Sequence, residues 1–152
     1  MKILLAVDGS EGSQAAVAAV VARPWPAGSE IKILSVAELH VMPTSEFGML
    51  PPSYYDDITN AANEQARAAL KAAIEVMQQH STAGLTVATE HKTGFPKVVI
   101  LDEAEHWGAD LIVLGSHGYK GLQRFLLGSV SLAVATHAPC SVEIVRVRNE
   151  EV

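Results

Sequence analysis

Apolar residues in this chain come in short runs that alternate with stretches of helical spacing. Residues 2–8 (KILLAVD) are an apolar run of strand length and predict a buried strand. Gly9 and Ser10 turn the chain, and Ser10 or Ser13 can cap a helix over residues 11–22, where Ala15, Ala16, Ala19 and Val20 share a face. Pro24, Pro26 and Gly28 make residues 23–29 a loop. Residues 30–37 (EIKILSVA) read as a second strand whose nearly continuous apolar end suits the middle of a sheet. Residues 54–80 carry Ile58, Ala62, Ala66, Leu70, Ala73 and Met77 at spacings of mostly three and four, an amphipathic helix with Asp56 and Asp57 in its first turn. Leu85, Val87 and Thr89 alternate in a third strand over residues 85–91. Thr93, Gly94, Phe95 and Pro96 then turn into a helix that runs to Trp107 and stops at Gly108. Residues 111–116 form a fourth strand, residues 129–137 a fourth helix ended by Pro139, and residues 141–147 (SVEIVRV) a fifth strand.

The order is β-α-β-α-β-α-β-α-β, which predicts an α/β domain with a parallel sheet and helices on both faces. Ligands of such sheets bind beyond the carboxyl ends of the strands, where the strand order reverses. The loops after strands one, two and four would meet there. Residues 38–53 break the pattern: Pro43, Gly48, Pro51 and Pro52 stand among Met42, Phe47, Met49 and Leu50. A connection of that length is expected to be a lid or a partner contact.

Composition narrows the picture. A chain of 152 residues suits one domain, here residues 1–152, and the sequence shows no internal repeat or domain boundary. With 49% hydrophobic but only 5% aromatic residues, the core must be aliphatic. The net charge of −6 argues against a nucleic-acid surface, so any anion must be bound locally by N–H groups. The apolar start is too short for a signal-peptide core, and no run reaches membrane-spanning length. Cys140 has no cysteine to pair with, which fits the cytosol, and it reads as a small core residue before the last strand.

The candidate chemistry lies in residues 111–131, LIVLGSHGYKGLQRFLLGSVS. Four apolar residues break into Gly115, Gly118 and Gly121. Gly128 then opens a helix at Ser129, Val130 and Ser131. Strand, glycine loop and helix start together make an anion pocket: glycine admits close approach or positive φ, and the helix start offers unpaired N–H groups at the positive end of a dipole. The competing reading is that these glycines only permit a tight turn. His117 lies between two glycines and either donates to a phosphate or is an ordinary loop histidine. Lys120 and Arg124 either reach the phosphates or stay solvated. Asp8 ends the first strand at the ligand edge, as a binding group or as a helix cap.

The spacing G-x-x-G, nine residues, G-S, filled by Gly115, Gly118, Gly128 and Ser129, resembles the universal stress protein family. So do the opening KILLAVDGS, the TGFP turn, the segment GADLIVLGSHG and the closing HAPCSVEIVR, so the resemblance covers nearly the whole chain. It implies a Rossmann-like, adenine nucleotide alpha hydrolase-like fold with five parallel strands in the order 3-2-1-4-5. It implies an adenine nucleotide, ATP or AMP or ADP, with Mg carried by the phosphates if present, and a nucleotide-responsive role in stress. By the same resemblance Asp8 takes a ribose hydroxyl and the backbone of Val36 pairs with the base, which Ala6 helps to sandwich. Leu114, Gly115, His117 and Gly118 pass beneath ribose and α-phosphate. Gly128, Ser129, Val130 and Ser131 hold the outer phosphates. It further implies a homodimer through the strand at residues 141–147, where Glu143 is less apolar than the family leads one to expect.

Other chemistries lack their motifs. There is no G-x-x-x-x-G-K-[ST], G-x-G-x-x-G, H-E-x-x-H or G-x-S-x-G, and no Cys/His cluster that suggests zinc. Ser116, His117 and Asp8 tempt a hydrolase reading. Neighbouring strand residues point opposite ways, however, so Ser116 and His117 are not expected to touch. Two classes of function remain. The first is a cytoplasmic nucleotide-binding module that signals to a protein partner. The second is a slow ATPase, which would need a base near the γ-phosphate that the motif does not supply.

Overall fold

The chain builds the expected alternation. The computed structural model describes residues 1–39, 51–80, 83–118 and 127–147. Its elements are β1 (Lys2–Ala6), α1 (Glu11–Val21), β2 (Glu30–Glu38), α2 (Pro52–Gln78), β3 (Thr86–Gly94), α3 (Pro96–Trp107), β4 (Leu111–Gly115), α4 (Ser129–His137) and β5 (Ser141–Val145). The strands form one parallel sheet in the order β3-β2-β1-β4-β5.

Successive strand residues face opposite sides, so the central strands feed two cores. Ile3, Leu5, Val7, Ile31, Ile33, Leu111 and Val113 pack beneath Ala16, Val17 and Val20 of α1 and Ala69, Leu70, Ala73 and Met77 of α2. Leu4, Ala6, Leu34, Ile112 and Leu114 meet Ile100 and Ala104 of α3 and Val134 of α4. β1 lies between β2 and β4, which leave it in opposite directions of chain travel. The crevice between those two crossovers opens at the carboxyl edge.

Several boundaries differ from the sequence expectation. Thr93 and Gly94 do not turn; they extend β3 because β2 also runs on, and they pair with Ala37 and Glu38. α2 starts at Pro52 rather than residue 54, since proline's fixed φ suits the first helical position. Asp56 and Asp57 therefore fall beyond the first turn. β5 stops at Val145, two residues short of the expected end. Residues 40–50, most of the expected lid, and Lys120, Gly121 and Arg124 lie outside the described residues.

One charged cluster is built into the α3 face. Lys32 donates to Glu103 at 2.5 Å and lies over the Trp107 ring, 4.7 Å from its centroid; Lys92 donates to the other Glu103 oxygen. Glu90 approaches both lysines. Burial opposes the charge on Glu103, but the hydrogen bonds from Lys32 and Lys92 outweigh it and hold the carboxyl below its ordinary value. Cys140 packs half-buried beside the α3–α4 core, and desolvation, with Asp110 nearby, pushes its thiol up.

Candidate functional site

The first turn of α1 fixes one wall of the crevice. Asp8 follows β1, and its Oδ1 accepts from Ser10 N at 2.9 Å and from Ser10 Oγ at 2.5 Å. Ser10, not Asp8 or Ser13, is the N-cap of α1, its hydroxyl accepting from Ser13 N. Ser10 Oγ also reaches the His117 carbonyl at 3.3 Å, which ties this turn to the loop after β4.

The glycines of the motif supply space, not unusual dihedrals. None of Gly115, Gly118 and Gly128 has positive φ, and Gly128 sits at −63°. A Cβ on Gly115 would lie 2.3 Å from the Gly12 carbonyl carbon, so Gly115 lets α1 rest on the end of β4. A Cβ on Gly12 would in turn lie 2.5 Å from the His117 carbonyl. At Gly118 a Cβ would meet Asp8 Oδ2 at 2.6 Å, and at Gly128 it would meet the Ser116 carbonyl at 3.3 Å. The expectation of positive φ is thus corrected. The loop needs room against the Gly12 and Ser116 backbone and the Asp8 carboxylate, and glycine leaves it.

The α4 end is bound to the β4 end through backbone. Gly128 N and Ser131 Oγ each donate to the Ser116 carbonyl at 2.8 Å. Ser131 Oγ also faces the Gly128 carbonyl at 3.0 Å, so its hydroxyl braces α4 and is not a free donor. Gly128 is the N-cap and brings no side chain to the helix start. The N–H groups of Ser129, Val130 and Ser131 are left at an uncapped helix N-terminus.

A cavity of about 710 Å³ opens along this edge. Ala6, Asp8, Val36, Leu114, Gly115, His117, Gly118, Gly128, Ser129, Val130 and Ser131 all line it. So do residues that sequence reading did not assign to a site: Ser35 on β2, Ala62, Gln65 and Ala66 on α2, and Pro96 and Ile100 on α3. The small residues Ala62 and Ala66, one helical turn apart, were the available signal. Gly12 was another, because a glycine inside a helix costs about 1 kcal/mol and needs a reason. Ser35 is 1% exposed, and its Oγ has no partner among the described residues.

Ser116 and His117 do touch, against expectation. Ser116 Oγ lies 3.1 Å from His117 Nδ1. β4 ends at Gly115, so strand alternation no longer governs the next two side chains. Ser116 is buried and is not part of the cavity wall, whereas His117 is. The contact therefore does not make Ser116 a nucleophile open to substrate. Among the described residues no group of three His, Cys, Asp or Glu is placed to hold a metal ion, and no helix is long and apolar enough to cross a membrane.

Comparison with known proteins bears on this geometry. The model of the Universal stress protein family matches residues 1–146. Universal stress protein YxiE of Bacillus subtilis is 34% identical over 148 residues, covering 95% of this chain and 98% of its own. Universal stress protein UspA from Lactobacillus plantarum superposes with a TM-score of 0.75 at 27% identity, over 96% of this chain and 97% of that one. A universal stress protein solved in complex with cAMP has a TM-score of 0.61 at 25% identity, over 95% and 96%.

Proposed function

Because the chain belongs to the universal stress protein family, we propose that its cavity binds an adenine nucleotide, ATP foremost, and that the protein is a nucleotide-responsive stress module rather than an enzyme. The observation that carries this reading is the uncapped start of α4 on the wall of a cavity of about 710 Å³. That volume is of the order of small-molecule sites, roughly 300–1,000 Å³. The likeness to a relative solved with cAMP supports an adenine ligand.

In this reading the base lies against Ala6, Val36 and Leu114, with Val36 backbone on its edge. Asp8 Oδ2 takes a ribose hydroxyl, since Oδ1 is already occupied by Ser10. The N–H groups from Gly128 to Ser131 take the phosphates, except that of Gly128, which Ser116 holds. Gly115 acts through the packing of α1, and Gly118 leaves room beside Asp8. Magnesium would arrive on the phosphate oxygens, because Asp8 and Glu38 are the only carboxylates among the described cavity residues. The whole chain, residues 1–152, acts as one domain in the cytoplasm, as a homodimer through the fifth strand. Light scattering at micromolar concentration giving a monomer mass would remove the dimer from this reading.

Mass spectrometry of the denatured purified protein, followed by calorimetric titration with ATP and AMP, tests the ligand. Saturable binding of one adenine nucleotide per chain is expected. A co-purified ligand without adenine, or no heat with either nucleotide, overturns the reading. Phosphate release from ATP and magnesium at background level is expected as well, and turnover well above background would favour the ATPase.

A further inference from the structure

We propose that Ser116 is a positioning residue that fixes the tautomer of His117, so that the imidazole presents Nε2–H to the phosphates of the bound nucleotide. This rests on the nucleotide reading above and assigns a task to a side chain outside the cavity wall.

The geometry comes first. Ser116 is 4% exposed, and its Oγ lies 3.1 Å from His117 Nδ1. That is the one hydrogen-bond partner of this hydroxyl among the described residues. A neutral imidazole carries its proton on one nitrogen and accepts on the other. If Nδ1 carried the proton, the serine oxygen would accept and its own hydrogen would be buried with no acceptor among the described residues. If Nδ1 is bare, the hydroxyl donates to it and both groups are satisfied. The second arrangement is the favoured one, and it leaves the proton on Nε2.

The position gives this proton a use. His117 lines the cavity, and its Cα lies 3.5 Å from where a Gly128 Cβ would stand, beside the start of α4. Its carbonyl lies 3.3 Å from Ser10 Oγ, whose hydrogen goes to Asp8 Oδ1, and the carbonyl of Ser116 accepts from Gly128 N and Ser131 Oγ. The backbone under the ring is therefore braced by the start of α4, and Ser116 Oγ sets the ring itself. An N–H donor at this place adds one hydrogen bond to the phosphate end. The opposite tautomer would offer phosphate a lone pair, which repels it. It would also be the form able to accept a proton from water, so the same serine hydroxyl disfavours hydrolysis.

Ser116→Ala removes the hydroxyl and keeps the carbonyl that braces α4. Three measurements on the full chain test the proposal. Long-range ¹H–¹⁵N correlation of the labelled nucleotide-free protein should show His117 bare at Nδ1 and protonated at Nε2, and a tautomer mixture in Ser116→Ala. Any other pattern in the unmutated protein overturns it. Calorimetric titration of Ser116→Ala should show ATP affinity down by about 3- to 10-fold, one neutral-to-charged hydrogen bond partly lost, and adenosine affinity unchanged. Equal loss with both ligands, or no loss with ATP, overturns it. In a His117→Ala background Ser116→Ala should have no further effect on ATP affinity, and an additive loss counts against the coupling. Unmutated protein that binds no ATP overturns the nucleotide reading and the phosphate contact together, while the tautomer pattern still judges what Ser116 does to the ring.

Discussion

The two ends of the cavity are built differently. At the β4–α4 end the walls are mostly backbone, Gly115 against Gly12 and Gly128 against the Ser116 carbonyl, while Gly118 faces the Asp8 carboxylate. At the β2–α2 end they are side chains, Val36, Ala62, Ala66 and the Ser35 hydroxyl, which has no partner among the described residues. Backbone walls cannot rotate away, so the first end tolerates almost no added volume. Side-chain walls can repack, so the second end should accept it. A fixed set of N–H groups suits a phosphate, whose charge needs donors already in place. An adaptable apolar wall suits a base.

The largest expected break in this contrast is Gly128→Val. Its Cβ would sit 3.3 Å from the Ser116 carbonyl, and the branched side chain would crowd the N–H groups that follow. Losing two charge-assisted hydrogen bonds, about 1.5–3 kcal/mol each, weakens ATP binding by roughly two to four powers of ten. Calorimetric titration measures this, and a thermal melt beside it should move much less. Unchanged affinity would put the phosphates elsewhere; if the valine variant does not fold, Gly128→Ala is the milder form of the same probe.

Gly115→Ala should act on the fold instead. The added Cβ meets Gly12 backbone at 2.3 Å, which no rotamer change relieves. A loss of about 1–3 kcal/mol is expected in denaturant unfolding. A melt like that of the unmutated chain would mean that α1 and β4 can part freely, and that the end is less rigid than described.

Ala66→Leu probes the other end. Ala66 is 3% exposed and lines the cavity, so leucine fills space that the ligand would use. ATP affinity should fall about tenfold, roughly 1.4 kcal/mol, while stability holds or rises, as cavity filling commonly does. A destabilised variant would show that the β2–α2 end is as tightly set as the β4–α4 end.

The smallest effect is expected where neither end is touched. Glu103 is held below its ordinary carboxylate value despite burial, by Lys32 and Lys92. A lowered folded value means stabilisation that is present above the unfolded value, near 4.5, and is lost as pH falls through the folded one. Glu103→Gln should cost about 1 kcal/mol at neutral pH, because both lysines keep contact with water. It should also flatten the acid limb of a pH-dependent melt and leave ATP affinity alone. A change in affinity would tie this cluster to the wall formed by Leu34, Val36 and Ile100.

Much of this was legible in one dimension. The runs at β1, β2 and β4 are apolar on both faces because the strands are covered on both faces, and α3 and α4 fall at the expected residues. The glycine spacing marked the β4–α4 end because its walls are mostly backbone, and glycine is the residue that brings backbones together. The β2–α2 end left no such mark. Ala62 and Ala66 look like any apolar helix face, and only the packing of α2 beside β2 turns them into a wall.

What the sequence determined by itself is the alternation of elements, the family and the edge where a ligand would sit, because periodicity and glycine spacing are local properties of the chain. What only the tertiary structure decided is which atoms are free there. The Ser131 hydroxyl is already engaged by backbone carbonyls, Asp8 has one oxygen engaged and one beside Gly118, and Ser116 reaches the ring of His117. Those outcomes depend on how α1 and α4 close on the end of β4. Residue type lists the donors a side chain carries, and three-dimensional packing decides which of them are already taken.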